Sequence, residues 1–478
     1  MKMPRDMGPY HIIGIGGIGM SAIAEIMLAR GYQVQGSDLA DNANVERLRE
    51  KGARIYSGHD ARNIDGAAFV VISTAVKNGN PELEAARTRG VAIIRRAEIL
   101  AELMRGYATI SITGTHGKTT MTSLTATLLV EAGLDPTVVN GGIVNAWGSN
   151  ARPGEGDWMV VEADESDGTF VALPTQIGIV SNIDPEHMDF HKSEERLHDA
   201  FRTFFDNIPF YGLAIAGTDH PTVDAMVRDI RGKELGRRIL TFGESDSADL
   251  KLENYAVEGD GAIFDARIGA NVPGGARTLE ALRLVVPGRY NALNALAAIA
   301  VAAELGIDDE DIRQGLVAYQ GVKRRFTRTG IWNGVALYDD YAHHPVEILA
   351  VLKAARGASN GKVIAIMEPH RYTRLQNLFG EFCACFSDAD AVIVTPVYEA
   401  GERPIDGVSQ EALVAGIEAA GHAHVVAVEG GEKLAGIIAD MAMPGDLVIG
   451  LGAGTITEWM QILPSELAQL GPRAEKTA

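Results

Sequence analysis

Short apolar runs alternate with helical stretches from residue 10 to about 104. In order they read "HIIGIG", "GMSAIAEIMLARG", "QVQGSD", "NVERLREKGA", "RIYSG", "AAFVVIST" and "NPELEAARTRG", closed by "AEILAELMRGY". Brief apolar runs bounded by glycine predict buried strands, and the stretches between them carry helical spacing, so this segment predicts a parallel sheet with helices on both faces. A second unit opens with "ATISITGTHGKTTMTSLTATLLVEAGL", a strand, a loop and a long helix. It continues through "DWMVVEADESD" and "IGIVSNIDPEHMD", apolar strands that end in polar residues. A strand-rich insertion spans about 238–286, and "RYNALNALAAIAVAAELG" predicts an alanine-rich buried helix. After "GVKRRFTRTG" the alternation restarts with "VALYDDYAHHP", "KVIAIMEPHRYTR", "AVIVTPVYEAGERP", "HVVAVEG" and "DLVIGLGAGTI".

The pattern predicts an α/β protein of three domains, with boundaries at 1–104, 105–325 and 326–478. The first is a Rossmann-like parallel sheet, the central one a P-loop-type ATPase α/β domain and the last a Rossmann-like α/β domain. A length of 478 residues agrees, because one hydrophobic core rarely organises so long a chain. The formal charge of -20 lacks the broad positive field that nonspecific nucleic-acid binding needs, so any anionic substrate is held by local cations. Cys383 and Cys385, one residue apart on a predicted helix, point in different directions, which favours packing over a disulfide and suggests a reducing compartment. Glycines break the apolar N-terminal run that follows Lys2 and Arg5, and no apolar stretch approaches the roughly 20 residues of a spanning helix. The expectation is a cytoplasmic protein, without nucleic acid or membrane partners, with a mobile tail "AQLGPRAEKTA".

Two glycine-rich loops raise the chemical question. In "GIGGIGMS", Gly14, Gly16 and Gly19 fit G-x-G-x-x-G, and Asp38 follows at the spacing of a ribose-binding acid, which taken alone indicates NAD. "GTHGKTT", residues 114–120, follows a strand and opens a helix. Its amides suit phosphate oxygens, Lys118 supplies a point charge and Thr119 offers a hydroxyl to Mg²⁺, although Ile112 replaces the first glycine of the usual loop. "VVEADESD" places Glu162, Asp164, Glu165 and Asp167 at a strand end, where they suit a hard cation or form a solvated acidic loop. His187 in "SNIDPEHMD" is a structural histidine or a metal or phosphate contact. Lys323, Arg324 and Arg325 suit a phosphate in transfer or an exposed basic hinge. Asp339, Asp340, Tyr341, His343 and His344, then His370, Arg371 and Arg374, mark two further strand ends where ligands gather.

In this order, "HIIGIGGIGMSAIAE", "GTHGKTT", "VEADESD", "NIDPEHMD", "RYNALNA", "KRRF", "DDYAHHP" and "PHRYTR" resemble the ATP-dependent Mur ligases of peptidoglycan synthesis, from Tyr10 to about Ile462. The likeness is greatest to the branch that adds L-alanine to UDP-N-acetylmuramate. The resemblance implies a UDP-sugar domain, an ATPase domain and a C-terminal domain that binds the amino acid and closes over ATP. It implies that Gly114, Thr115, His116, Gly117, Lys118, Thr119 and Thr120 hold the ATP phosphates. Thr119, Glu162 and His187 would serve the metal, Mg²⁺ or alternatively Mn²⁺. Asn291 and Asn294 would meet the base region, and Arg325 and Asp340 would reach ATP. Gly16, Gly17, Ile18, Gly19, Met20, Ser37, Asp38, Ser73 and Thr74 would contact the UDP-sugar. Tyr341, His343, His370 and Arg371 would stand near the sugar and amino-acid ends. His344, by its strand-end position, is the candidate base for the amine proton, and the expected state is a monomer or weak homodimer.

The rival within the family is the recycling ligase, which attaches a preformed peptide to the same UDP-sugar. The ligases of later steps and the folate-polyglutamate type lack this glycine-rich N-terminal start. An NAD-dependent dehydrogenase leaves "GTHGKTT", Glu162 and "KRRF" without a task, and a nucleotide-gated binding module leaves the third domain's polar strand ends without one.

Overall fold

The computed structural model describes residues 6–232 and 237–471. Lys2, Arg5 and the tail beyond residue 471 lie outside them.

The alternation forms three sheets. The first joins β1 (Tyr10–Ile13), β2 (Val34–Asp38), β3 (Arg54–Ser57), β4 (Phe69–Ile72) and β5 (Ala92–Arg95) in the order β3-β2-β1-β4-β5, every pairing parallel. The order reverses between β1 and β4, so the glycine turn that follows β1 stands at the crevice where such sheets take ligands. The helix Ile18–Ala29 leaves that turn with all eight residues from Met20 to Met27 buried. Asn80 caps the helix Pro81–Arg89, whose proline needs no amide partner, and Gly90 ends it at φ +68°.

The second sheet holds β6 (Ala108–Thr113), β7 (Thr137–Val144), β8 (Ser149–Arg152), β9 (Trp158–Glu162), β10 (Ile177–Val180), β11 (Leu213–Gly217), β12 (Ile239–Gly243), β13 (Leu250–Glu258), β14 (Gly261–Ile268) and β15 (Arg277–Leu284). Their order is β15-β14-β13-β12-β11-β10-β6-β9-β7-β8, so the strand-rich insertion extends this sheet rather than folding apart from it. β6 lies between β10 and β9, parallel to both, which gathers the ends of "ITGT", "VVEADESD" and "SNID" at one edge. β9 stops at Glu162, so the strand alternation expected to align Glu162 with Asp164 does not reach Asp164.

The third sheet orders β16 (Thr327–Trp332), β17 (Val335–Asp340), β18 (Val363–Met367), β19 (Ala391–Val394), β20 (Val425–Ala427) and β21 (Leu447–Leu451) as β16-β17-β21-β18-β19-β20. It is parallel except for the opening antiparallel pair β16–β17, which follows from the tight turn at Asn333 and Gly334, both at positive φ. Cys383 lies on the helix Phe379–Ala384 and Cys385 just beyond it; both are free thiols, and burial pushes Cys385 up to about 12.

By compactness the chain divides in two. One unit comprises 1–254, 264–282 and 293–320, and the other comprises 255–263, 283–292 and 321–478. The first sheet and most of the second thus belong to one unit, and a continuous core runs from Tyr10, Ile23 and Met104 to Val161, Phe170 and Phe204.

Candidate active site

β6 ends in a turn built for close approach. Gly114 has φ +126°, and a Cβ on it would lie 2.1 Å from Ser181 Oγ. Gly117, at φ +85°, caps the helix Lys118–Glu131 and packs on Asn294, whose Oδ1 would meet a Cβ there at 2.8 Å. Asn294, expected at the base region, therefore supports the phosphate turn. The end of β10 templates the same turn: Asn182 accepts from His116 N–H at 2.7 Å, Asn182 and Ser181 donate to His116 O, and Thr115 Oγ1 accepts from Asp184 N–H at 2.8 Å. Asp184 lies 3.3 Å from His116 Nε2 and 3.2 Å from His220 Nε2. Although burial opposes its charge, these two imidazoles hold it well below the usual carboxylate range. Thr119 and Thr120 are buried in the first helical turn.

Lys118 folds back over the turn. Its Nζ donates to Gly114 O at 2.5 Å, Thr115 O at 3.0 Å and Glu165 Oε1 at 2.9 Å. Glu165, 1% exposed, is pushed up to about 7 by burial, with Lys118 opposing and Asp164 adding to the rise. One of its carboxylate oxygens, one of those of Glu186 and a ring nitrogen of His187 lie within 4.8 Å of one another. Its Oε2 is buried with no hydrogen-bond partner among the described residues, as an oxygen reserved for a cation would be. His187 reaches this group from a backbone at φ +56°, and His191 holds Glu165 O at 2.9 Å. Sequence reading singled out Glu162 as the metal carboxylate. Glu162 Oε2 accepts Gly141 N–H at 2.8 Å, and Glu165 and Glu186 are the carboxylates grouped with His187. Glu165 stood among the acids of "VVEADESD"; only the bend after β9 reveals which of them turns to Lys118.

The first glycine turn belongs to the same unit. Asp38 Oδ2 accepts Gly16 N–H at 2.8 Å and its Oδ1 accepts Ala40 N–H at 3.1 Å, which sets the carboxylate against the glycine turn. Asn42 and Asn44 both donate to Gly16 O, leaving Gly17 on the outside of the turn and Ile18 partly exposed, with Met20 packed inward. Ser37, expected to touch the UDP-sugar, is fully buried. Its hydroxyl donates to Glu82 Oε2 at 2.5 Å, in a cluster with His11, His59 and Asn63. Ser73 and Thr74 follow the end of β4, as expected of residues near the crevice.

The second unit assembles the remaining candidates. Asp340, at the end of β17, accepts Phe326 N–H and Ala342 N–H, each at 2.7 Å, and clamps the hinge turn in which Arg324 has φ +64°. Burial pushes it up to about 6, against the pull of Arg325. Arg324 and Arg325 lie over the Tyr341 ring at 4.6 and 5.0 Å. His343 follows edge-on to Tyr341, and His370 stacks on Tyr398 at 5.3 Å. Burial, with His343, Arg374, Arg371 and Arg324 around it, pushes the His370 imidazole down to about 3, so it is neutral near pH 7. Tyr398 was not singled out in the sequence; its isolated bridge to His370 is a tertiary contact. Arg371, exposed at φ +72°, stands at the start of the next helix. His344 is the N-cap of the helix Pro345–Ala358: its Nδ1 accepts Val346 N–H at 3.4 Å and Glu347 closes the capping box. That contact engages Nδ1 of the candidate base in the helix cap. Asn291 donates to Pro287 O at 2.6 Å and is buried.

Comparison with known proteins accords with this arrangement. Residues 9–108 match the Mur ligase family catalytic domain, 112–302 the Mur ligase middle domain and 324–454 the Mur ligase glutamate ligase domain. The UDP-N-acetylmuramate–L-alanine ligase of Bradyrhizobium diazoefficiens is 57% identical over 471 residues, covering 98% of this chain and 100% of the relative. That of Methylobacterium radiotolerans is 58% identical with the same coverage. Among solved structures, UDP-N-acetylmuramate-alanine ligase MurC from Thermotoga maritima superposes with a TM-score of 0.81 at 28% identity, over 97% of this chain and all of that one. A murein peptide ligase from Psychrobacter arcticus shares the fold, with a TM-score of 0.69 at 23% identity over 96% of this chain and 98% of that one. With every motif in order and relatives alike along their whole length, the chain belongs to the Mur ligase family.

Proposed function

We propose that this ligase joins L-alanine to the lactyl carboxylate of UDP-N-acetylmuramate at the expense of ATP, as the first amino-acid addition of peptidoglycan precursor synthesis. The observation that carries the reading is two phosphate cradles in one compact unit, one after β1 and one after β6, the second holding Lys118 against an acidic strand end. The three segments 1–104, 105–325 and 326–478 are taken as the UDP-sugar, ATP and amino-acid domains. Against an NAD enzyme stands the second glycine turn with Lys118 held against Glu165, which such an enzyme leaves without a task.

A carboxylate is inert to an amine near neutral pH, so the lactyl oxygen first attacks the γ-phosphorus of ATP and ADP departs. The acyl phosphate then accepts the alanine nitrogen at its carbonyl carbon, and the C–O bond to phosphate breaks to leave the amide. Gly114, Thr115, His116, Gly117, Lys118, Thr119 and Thr120 present backbone amides, an ammonium and hydroxyls to the triphosphate. Glu165, Glu186 and His187, with Thr119 next to Lys118 in the chain and Glu162 at the end of β9, are the residues that would hold Mg²⁺, or Mn²⁺ in its place. When bound, such an ion neutralises phosphate charge. Gly16, Gly17, Ile18 and Gly19 offer the pyrophosphate of the UDP-sugar a turn and a helix N-terminus. Arg325, with Asp340 fixing its hinge, and the cluster of Tyr341, His343, His370 and Arg371 belong to closure and amino-acid capture, with Asn291 and Asn294 supporting the nucleotide. No described helix is long and apolar enough to cross a membrane. The enzyme is read as cytoplasmic and as a monomer or weak homodimer.

The test is ADP release with UDP-N-acetylmuramate and single amino acids. Release should require both the UDP-sugar and L-alanine; release with a peptide in place of L-alanine would favour the recycling ligase. Lys118→Ala should abolish acyl-phosphate formation while UDP-sugar binding, followed by calorimetry, persists. Loss of both together would mean that the two cradles are misassigned.

A further inference from the structure

Arg96 opens the helix Arg96–Met104 directly after β5. The helix dipole disfavours a cation there, and the guanidinium turns to other neighbours. Nη2 donates to Asp164 Oδ2 at 3.1 Å and lies 3.9 Å from Asp167 Oδ2, with the Arg96 side chain 25% exposed. Nη1 covers the first turn of the helix Ile18–Ala29: a Cβ on Gly19 would lie 3.0 Å from it. One planar fork thus spans from the glycine turn of the first sheet to the acidic end of β9 in the second. Asp164 directly precedes Glu165, whose Oε1 accepts Lys118 Nζ at 2.9 Å, so the fork ends beside the lysine of the second turn. A second tie fixes the other side of the same turn, where Asn150 Nδ2 donates to Ile18 O and Arg47 Nη2 donates to Asn150 Oδ1 at 2.9 Å.

We propose that Arg96 is a positioning residue that couples the two phosphate cradles, neutralising Asp164 beside the ATP turn while its other nitrogen completes the anion site at Gly19. The proposal rests on the reading that the first glycine turn holds the pyrophosphate of the UDP-sugar. Without Arg96, the charge of Asp164 stands unopposed near the incoming triphosphate and competes with it for Lys118. The anion at Gly19 also loses a forked donor. A single change therefore weakens both substrates, through different partners.

That asymmetry makes the test. Arg96→Gln should raise the KM for ATP and the KM for UDP-N-acetylmuramate by about tenfold each, and Arg96→Lys should recover part of both. Adding Asp164→Asn to Arg96→Gln should return the ATP value to within about twofold of wild type, because the unopposed charge is gone, while the UDP-sugar value stays high. A purely structural Arg96 would lower the melting temperature and leave both KM values in place. An unchanged ATP value in Arg96→Gln, or no recovery in the double variant, overturns the proposal. Gly17→Ala separates the underlying reading: at φ -62° the backbone accepts alanine, and the new Cβ meets only Gly14 O, at 3.3 Å. If that methyl leaves the UDP-sugar KM unchanged, the cradle itself is misassigned. If it raises that KM while Arg96→Gln spares ATP, the coupling alone fails.

Discussion

His344 caps the helix Pro345–Ala358 with its Nδ1, and Asn, whose short side chain carries an oxygen in a similar place, is a strong cap. His344→Asn should therefore keep the melting temperature and hold kcat within about threefold of wild type, whereas His344→Ala should cost about 1 kcal/mol in denaturant unfolding. A collapse of kcat in a stable His344→Asn would restore the histidine to proton transfer. Glu82 is the corresponding case in the first sheet. Its carboxylate, fully buried, receives Ser37 and Asn63 and faces His11 and His59. Replacing it by Gln removes the charge that all four neighbours were arranged around, and should cost roughly 3 kcal/mol in chemical unfolding. At this scale the residue types of the site were legible, because Lys118, His187 and Arg325 sit beside glycines, prolines and strand ends that announce a loop. Which oxygen each polar atom meets was not, since Ser37 and Asp38 are neighbours in sequence with different tasks.

The turn between β6 and the helix Lys118–Glu131 shows the same division for an element. Strand, glycines, lysine and threonine in series specify a phosphate turn from local chemistry alone. The close approach of Ser181 does not follow from that series; it comes from β10 pairing beside β6. Gly114→Ala places a methyl 2.1 Å from Ser181 Oγ at a φ of +126°. It should weaken ATP binding at least about tenfold by calorimetry while leaving UDP-sugar affinity intact. Equal loss for both ligands would mean that the distortion spreads beyond the turn. The strands were legible because buried parallel strands read as short apolar runs. The antiparallel opening of the third sheet was not, because β16 and β17 follow each other through a turn whose direction the apolar pattern does not encode.

For the molecule as a whole, buried carboxylates pull stability in opposite directions in the two compact units. Glu82, in the first, is held at about 2 against an ordinary 4.5: burial opposes its charge, and hydrogen bonds from His11, Ser37 and Asn63 more than offset that. Its contribution is complete above pH 4.5 and is lost as pH falls from there toward 2. Asp339 and Asp340, in the second, are pushed up to about 6 by burial. The fold prefers their protonated form, so their contribution to that unit is greatest below pH 3.8 and falls by roughly 1–3 kcal/mol as pH rises toward 6. Trp147 and Trp158 report the first unit, Trp332 and Trp459 the second. His370, held at about 3 in the same unit as Asp339, takes stability away as pH falls below 6.5, so the carboxylate effect is read as a difference between variants. With one Trp pair replaced by Phe, melts followed by the other should show Asp339→Asn raising the melting temperature of the second unit more at pH 6.5 than at pH 4.5, and the first unit weakened below 4.5; an equal effect at both pH values assigns the trend elsewhere.

The order of motifs along 478 residues determined the family, the three-part α/β plan and the glycine and lysine chemistry of both cradles. These depend on backbone conformations and periodicities set by near neighbours in the chain. Tertiary structure alone decided that Glu165 faces Lys118, that Asp38 braces its own turn, that Tyr398 stacks on His370 and that Arg96 reaches from one cradle to the end of β9. Each of these contacts joins separate elements, and parallel strands bring such residues together only through crossovers, whose arrangement rests on packing rather than on local spacing.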